Sequence, residues 1–224
     1  MKKFTLIAAC LLMAGSAFAQ RVQYKVSDFV REMPCTNHRG EVIATQIGTV
    51  CLPYAPTLVE GATLYELYSA SAQEWIFVSV SEPQANTPYV YRVNDDAKRV
   101  VFYGEAEYDR SLTEVKGSAA GCEDAFVGTY RSVVVNKPLY YLAGDKVCYT
   151  DQPINGTPFR CYFTTDVMPA GQTLSDDVKL TFTTPAGLAS MQAEQGAGHI
   201  VVDRANIGLQ RGEYLVGGQK VQVK

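Results

Sequence analysis

The chain has 224 residues, 20 basic and 23 acidic side chains and 47% hydrophobic residues. That is a globular composition long enough to bury a core in one large or two small domains, and it excludes a collagen, a coiled coil, a low-complexity chain and a polytopic membrane protein. A net charge of −3 without a basic patch argues against nucleic acid as a partner, and 14 tyrosines with only 19% charged residues favour strands over helices.

The first element in chain order is an address. Lys2 and Lys3 precede an apolar run from Phe4 to Met13, then small residues end in Ala17-Phe18-Ala19. A charged start, a short apolar stretch and small residues at −3 and −1 describe a signal peptide over 1–19, cut between Ala19 and Gln20. The run is shorter than the roughly 20 apolar residues a membrane span needs. Cleavage instead before Cys10, as in a lipoprotein, would leave too short an apolar region. No later stretch is apolar enough for a second membrane segment. The mature chain is therefore expected to be exported, at the cell surface, outside the cell or in the periplasm.

The body, residues 20–183, reads as strands separated by turn residues. The predicted strands are 41–46, 49–52, 63–68, 74–80, 89–93, 99–103, 127–135, 139–142, 146–150, 159–163 and 178–183. Alternation in Val178-Lys179-Leu180-Thr181-Phe182 puts Val178, Leu180 and Phe182 on one face. Asn94-Asp95-Asp96 and Ala143-Gly144-Asp145 carry turn chemistry, and Asn155-Gly156 falls in a predicted loop between 150 and 159. Many short strands with short connections define an all-β fold, an antiparallel β-sandwich of Ig-like or jelly-roll-like form. No amphipathic helix longer than two turns stands out, and 186–195 is the best short candidate. Residues 184–197 read as a linker. Residues 198–224 read as a separate C-terminal unit with strands at 199–202, 213–216 and 219–223, the last two closed into a hairpin by Gly217-Gly218.

Export gives the cysteines meaning. Cys10 leaves with the signal, and Cys35, Cys51, Cys122, Cys148 and Cys161 remain, an odd number. Cys148 with Cys161, on strands expected to be neighbours, is the first candidate disulfide and Cys35 with Cys51 the second. Unpaired small core residues are the alternative.

Within the body, Gly48-Thr49-Val50-Cys51-Leu52-Pro53-Tyr54, Val59-Glu60-Gly61 and Ala85-Asn86-Thr87-Pro88-Tyr89-Val90 are followed by Gly128-Thr129-Tyr130, Tyr141-Leu142-Ala143-Gly144-Asp145 and Phe159-Arg160-Cys161-Tyr162-Phe163. As a set, over about 45–183, these resemble a β-rich module found in secreted and surface proteins of the Bacteroidetes, often beside leucine-rich repeats. Cysteine stands at Cys51 and Cys161 where that pattern has small or apolar residues. The tail from Arg211 to Lys224, with Val201-Val202-Asp203-Arg204 before it, is similar to the C-terminal sorting domain of type IX secretion cargo. The first resemblance implies an accessory module of the cell surface, and the second implies a tail that directs a folded cargo across the outer membrane.

Raw material for catalysis is scarce. The mature chain holds only His38 and His199, no Gly-x-Ser-x-Gly elbow, no zinc-binding helix and no phosphate-cradling glycine loop. Cys35 and His38 have ligand spacing without a second pair to complete a zinc site, so no metal and no cofactor is expected. Glu105, Glu107 and Asp109 follow a strand; paired carboxylates can cleave a glycosidic bond or hold calcium, whereas alternating charge at a strand end is ordinarily a solvated edge. Trp75, Tyr65, Tyr68, Tyr89, Tyr91, Tyr140, Tyr141 and Tyr162 lie on predicted strands. Exposed rings there, with Trp75, Tyr89, Tyr91 and Tyr141 as the candidates, can stack on sugars, and the competing role is core packing. The favoured reading is a non-catalytic exported sandwich in interaction or adhesion, its partner a surface protein or a glycan. The alternatives are a carbohydrate-binding module and a glycoside hydrolase.

Overall fold

The computed structural model describes residues 23–33, 35–36, 42–43, 45–109, 112, 114–197, 212–216 and 219–223. The signal segment with Ala19 and Gln20, His38, His199 and the predicted strand 199–202 lie outside them. In chain order the strands are β1 (Gln23–Glu32), β2 (Cys35–Thr36), β3 (Val42–Ile43), β4 (Ile47–Cys51), β5 (Leu58–Glu60), β6 (Ala62–Ala70), β7 (Glu74–Ser79), β8 (Pro88–Val93), β9 (Arg99–Asp109) and β10 (Glu114–Ala119). They continue with β11 (Cys122–Thr129), β12 (Val133–Val135), β13 (Leu139–Ala143), β14 (Lys146–Thr150), β15 (Ile154–Gly156), β16 (Arg160–Thr164) and β17 (Lys179–Thr183). Helix α1 (Pro185–Ala197) and a hairpin of β18 (Gly212–Val216) and β19 (Gln219–Val223) complete the chain.

The fold is the expected all-β sandwich. Two five-stranded sheets, ordered β17-β7-β6-β8-β4 and β10-β11-β16-β13-β14, face each other. Between them lies an aromatic core: Trp75 and Phe77 from one sheet meet Phe126 and Phe163 from the other, all essentially inaccessible to solvent. Phe126 and Phe163 stack with centroids 4.2 Å apart, and Trp75 meets Phe163 edge-on at 5.0 Å. Each such side chain contributes about 1.5–3 kcal/mol by leaving water. Val178, Leu180 and Phe182 pack together against this core, as their alternation predicts.

A third layer was not legible. The three-stranded sheet β1-β9-β5 covers the other face of the first sheet, where Val100 and Phe102 bury Val50, Leu64, Tyr89 and Tyr91. β8 is therefore buried on both faces, with Val90 in the aromatic core and Tyr89 and Tyr91 in the second one. A strand packed on both sides loses its polar alternation, and Pro88–Tyr91 shows this. The small sheet β12-β15 lies over the outer face of the second sheet, where its Val135 packs with Val127, Leu139 and Tyr162.

Several boundaries differ from the expectation. The predicted strand 127–135 is two strands, β11 and β12, separated by Tyr130–Ser132, and Asn155-Gly156 is part of β15 rather than loop. Ala143-Gly144-Asp145 does turn the β13–β14 hairpin: Gly144 and Asp145 have φ of 55° and 60°, as a two-residue hairpin turn requires. The predicted linker 184–197 is a 13-residue helix, longer than the short one expected. Pro185 sits at its first position, where the missing N–H costs nothing, and the Thr184 hydroxyl caps it by accepting from the Gly187 N–H at 3.1 Å. Gln192 ties it to the sandwich by donating to the Tyr68 hydroxyl at 2.6 Å. The hairpin expected over 213–223 forms, with Val216 opposite Gln219.

One strand breaks the antiparallel pattern. β17 pairs with β7 in parallel, Lys179 opposite Glu74, after the 165–178 segment carries the chain back. Glu74 pins this strand, accepting from the Thr181 hydroxyl at 2.6 Å and the Lys179 ammonium at 2.9 Å. The Thr181 hydroxyl first, and then Lys179, hold its carboxyl below the usual carboxylate range. A depressed folded pKa adds stability that is complete above the unfolded value and disappears as pH falls through the folded one. Melting temperatures at pH 6 and pH 3 should therefore fall further for the wild type than for Glu74→Gln; an equal fall in both would remove this role.

Candidate functional site

The second sheet contains a split. β16 pairs with β11 over Arg160–Phe163, but with β13 only at Leu139–Thr164 and Tyr140–Phe163. From Tyr141 onward β13 pairs with β14 alone, so the Cys161 N–H and C=O, which point toward β13, have no ladder partner. Buried backbone groups without partners cost about 1–3 kcal/mol each. β4 of the opposite sheet answers both. The Thr49 hydroxyl accepts from the Cys161 N–H at 2.9 Å and donates to the Cys161 carbonyl at 3.2 Å. The Cys51 N–H then donates to the Phe159 carbonyl at 3.2 Å.

This close approach needs two glycines. A Cβ on Gly128 would stand 2.4 Å from the Cys51 Cβ, and one on Gly48 would stand 2.4 Å from the Tyr91 ring. Cβ atoms do not approach so closely, and glycine is what allows another chain segment to lie on its backbone. At the far end of the split the Asp145 carboxylate accepts from the Gln46 and Ile47 N–H groups at 2.7 and 2.9 Å and from the Thr45 hydroxyl at 3.0 Å. The hairpin tip is thus latched to the start of β4.

The result is a cavity of about 290 Å³ between β13 and β16 with β4 beneath it. Arg31, Arg160, Tyr91 and Tyr141 line it together with Asn155 and the Thr129 side chain, and among the described residues no carboxylate does. The Arg160 guanidinium is held in place by donating to the Thr49 carbonyl at 3.2 Å and the Tyr91 hydroxyl at 3.4 Å. Tyr141 is half-buried, and burial, aided by the neighbouring Cys148, raises its hydroxyl pKa, so it stays a neutral hydrogen-bonding group. Tyr162 also lines the cavity, but its hydroxyl is committed to Glu114 at 2.6 Å. A larger and more open depression of about 1100 Å³ borders the 165–176 segment, with Asp166 and Asp176 as its charged side chains.

The structure brings two of the four predicted ligand residues together and separates the others. Tyr91 and Tyr141 line the same cavity. Trp75 is fully buried, its indole N–H donating to the Ser71 carbonyl at 3.1 Å, and Tyr89 is buried with its hydroxyl accepting from the Gln84 N–H. Both are core residues, because the strands that carry them are covered by a facing sheet. Cys148 and Cys161 are not on neighbouring strands as expected, because β13 lies between β14 and β16. Cys51 is free and buried, while the Cys35 side chain lies outside the described set. Glu105 and Glu107 are exposed on β9, and Glu105 forms an ion pair with Lys25 at 2.8 Å. Among the described residues no group of three or more His, Cys, Asp or Glu side chains can hold a metal, and no helix is long and apolar enough to cross a membrane.

Sequence reasoning missed Thr49, Asp145, Arg31 and Arg160. Arg160 had a signal: a charge set within the apolar run Phe159–Phe163 must find partners when the strand is buried. Thr49 had none, since its importance comes from where β13 leaves β16. No family model, no curated protein and no solved structure matches the chain.

The Thr49 hydroxyl gives a direct test. Thr49→Val keeps the shape but strands two buried backbone groups, and should cost about 2–6 kcal/mol in urea unfolding. Thr49→Ser should retain most of the stability. Equal loss in both would assign the effect to packing instead.

Proposed function

We propose that the protein is an exported, non-catalytic β-sandwich module of the cell surface or medium, and that it binds an acidic sugar unit of a glycan in the split between β13 and β16. The observation that carries this reading is the convergence of Tyr91, Tyr141, Arg31 and Arg160 on one cavity whose described lining contains no carboxylate. Guanidinium groups match carboxylates in charge and geometry, and the half-buried Tyr141 offers sugar hydroxyls both a ring and a hydrogen bond, while the buried Tyr91 serves to hold Arg160 through its hydroxyl. At about 290 Å³ the cavity is at the lower end for small-molecule sites and suits one or two sugar rings. Export rests on the signal-like residues 1–19.

A binding role is favoured over hydrolysis by the position of the acidic side chains. Glycoside cleavage uses two carboxylates on either side of the scissile bond, about 5–5.5 Å apart in retaining enzymes. Glu105 and Glu107 do not line the cavity, and Glu105 is neutralised by Lys25. The described lining of the cavity holds no carboxylate and no histidine, and the Asp145 carboxylate at the end of the split is taken up by the Thr45, Gln46 and Ile47 donors.

Calorimetric titration with uronic-acid oligosaccharides and with neutral oligosaccharides of equal length tests the reading. Acidic oligosaccharides should bind more tightly, and Tyr141→Ala should weaken binding at least tenfold while leaving the circular dichroism spectrum unchanged. Tyr149→Ala, which removes a ring that is 50% exposed elsewhere on the sheet, should have no effect. Absence of binding to every acidic oligosaccharide, or equal loss in both variants, would reject the site.

A further inference from the structure

Cys51 and Cys161 were each assigned a different partner by sequence reasoning, yet the fold sends both side chains to one place. Cys161 and Gly128 are directly opposite on β16 and β11. Because the Cys161 N–H and C=O turn away to Thr49, this is a non-hydrogen-bonded pair, the kind in which opposite side chains approach most closely. Gly128 has no side chain, and the Cys51 Cβ lies over its backbone, 2.4 Å from where a Gly128 Cβ would stand. Its sulfur is 2.5 Å from that point and the Cys161 sulfur is 3.8 Å from it. Both sulfurs therefore lie within 4 Å of one point above Gly128, which makes Cys51 and Cys161 neighbours across the two sheets. Both thiols are free and buried, and among the described residues they belong to no group of three or more metal-ligating side chains.

We propose that Cys51 and Cys161 form an inter-sheet disulfide when the chain folds in an oxidising compartment. The oxidant is a disulfide of the glutathione or thiol-oxidase class. One cysteine thiolate attacks a sulfur of that disulfide, releasing a thiolate and forming a mixed disulfide. The second cysteine thiolate attacks the protein sulfur of the mixed disulfide and expels the other thiolate. The two cysteines lose two protons and two electrons, and the oxidant becomes two thiols. The exchange belongs to folding rather than to the finished fold: burial pushes the Cys51 thiol up to about 12 and the Cys161 thiol well above its ordinary value, and a protonated thiol does not attack. Within the folded core the Tyr130 hydroxyl near Cys51 donates to Asn86. The bond joins the two sheets at the seam, closes a loop of more than a hundred residues and leaves Cys35, Cys122 and Cys148 outside it.

The test is refolding of the full chain from denaturant in a glutathione redox buffer, then alkylation under denaturing conditions without reductant, digestion and mass spectrometry. A peptide pair linking Cys51 to Cys161, two hydrogens lighter than its parts, with Cys122 and Cys148 alkylated, is expected. Alkylation of both Cys51 and Cys161, or linkage of either to another cysteine, would overturn the proposal. A second measurement does not depend on digestion. Reductant should lower the melting temperature of the oxidised wild type by about 5–10 °C and leave that of Cys51→Ala unchanged, whereas equal insensitivity in both would also reject the bond.

Discussion

The hydroxyl of Thr49 is the point on which the two halves of the sandwich meet. A five-stranded sheet in which β13 leaves β16 after two residue pairs has a gap in its ladder, and the Cys161 backbone faces that gap. A neighbouring strand cannot fill it, because the gap is the space between strands. One hydroxyl from the opposite sheet, both donor and acceptor, satisfies the two groups at once. That contact brings β4 so close that Gly128 and Gly48 must lack side chains. The same approach sets the Tyr91 ring over Gly48, gives Arg160 its anchor on the Thr49 carbonyl, and puts Cys51 beside Cys161. The cavity, its guanidinium and the buried thiols are consequences of one seam.

Around the seam the rest of the molecule supplies rigidity. The aromatic core ties the two large sheets through Trp75, Phe126 and Phe163, and the three-stranded sheet presses on the back of β8 and β4. Strands covered on both faces have no solvent side to relax into, so Tyr91 is held where its hydroxyl can meet Arg160. The Asp145 latch fixes the hairpin tip at three hydrogen bonds. A binding site built on strands and stapled at both ends is preorganised, and an ordered site loses less entropy when a ligand arrives.

Local patterns in the sequence carried the strands and turns, and distance hid the rest. Alternation at Val178–Phe182 and the Gly144-Asp145 turn are set by residues next to one another, and both are found where expected. The all-β class followed from strand spacing alone. The burial of Trp75 and Tyr89 was not legible, because an aromatic residue on a strand looks the same whether water or another sheet lies over it. That β16 pairs with β13 rather than with β14 is not set by any local pattern, and it decides which cysteines can meet. Two of the four candidate ligand residues, Tyr91 and Tyr141, converge on the cavity, whereas Thr49 and Arg160 gain their roles only from the seam.

Native-state hydrogen exchange at the Cys161 amide tests the seam most directly. An amide bonded to a buried hydroxyl that joins two sheets opens only when the whole sandwich unfolds, so Cys161 should exchange as slowly as the Val127 and Phe163 amides of the regular strands. Exchange of Cys161 orders of magnitude faster than theirs, with a free energy insensitive to denaturant, would show that the gap in the sheet opens locally and that Thr49 does not hold the two halves together.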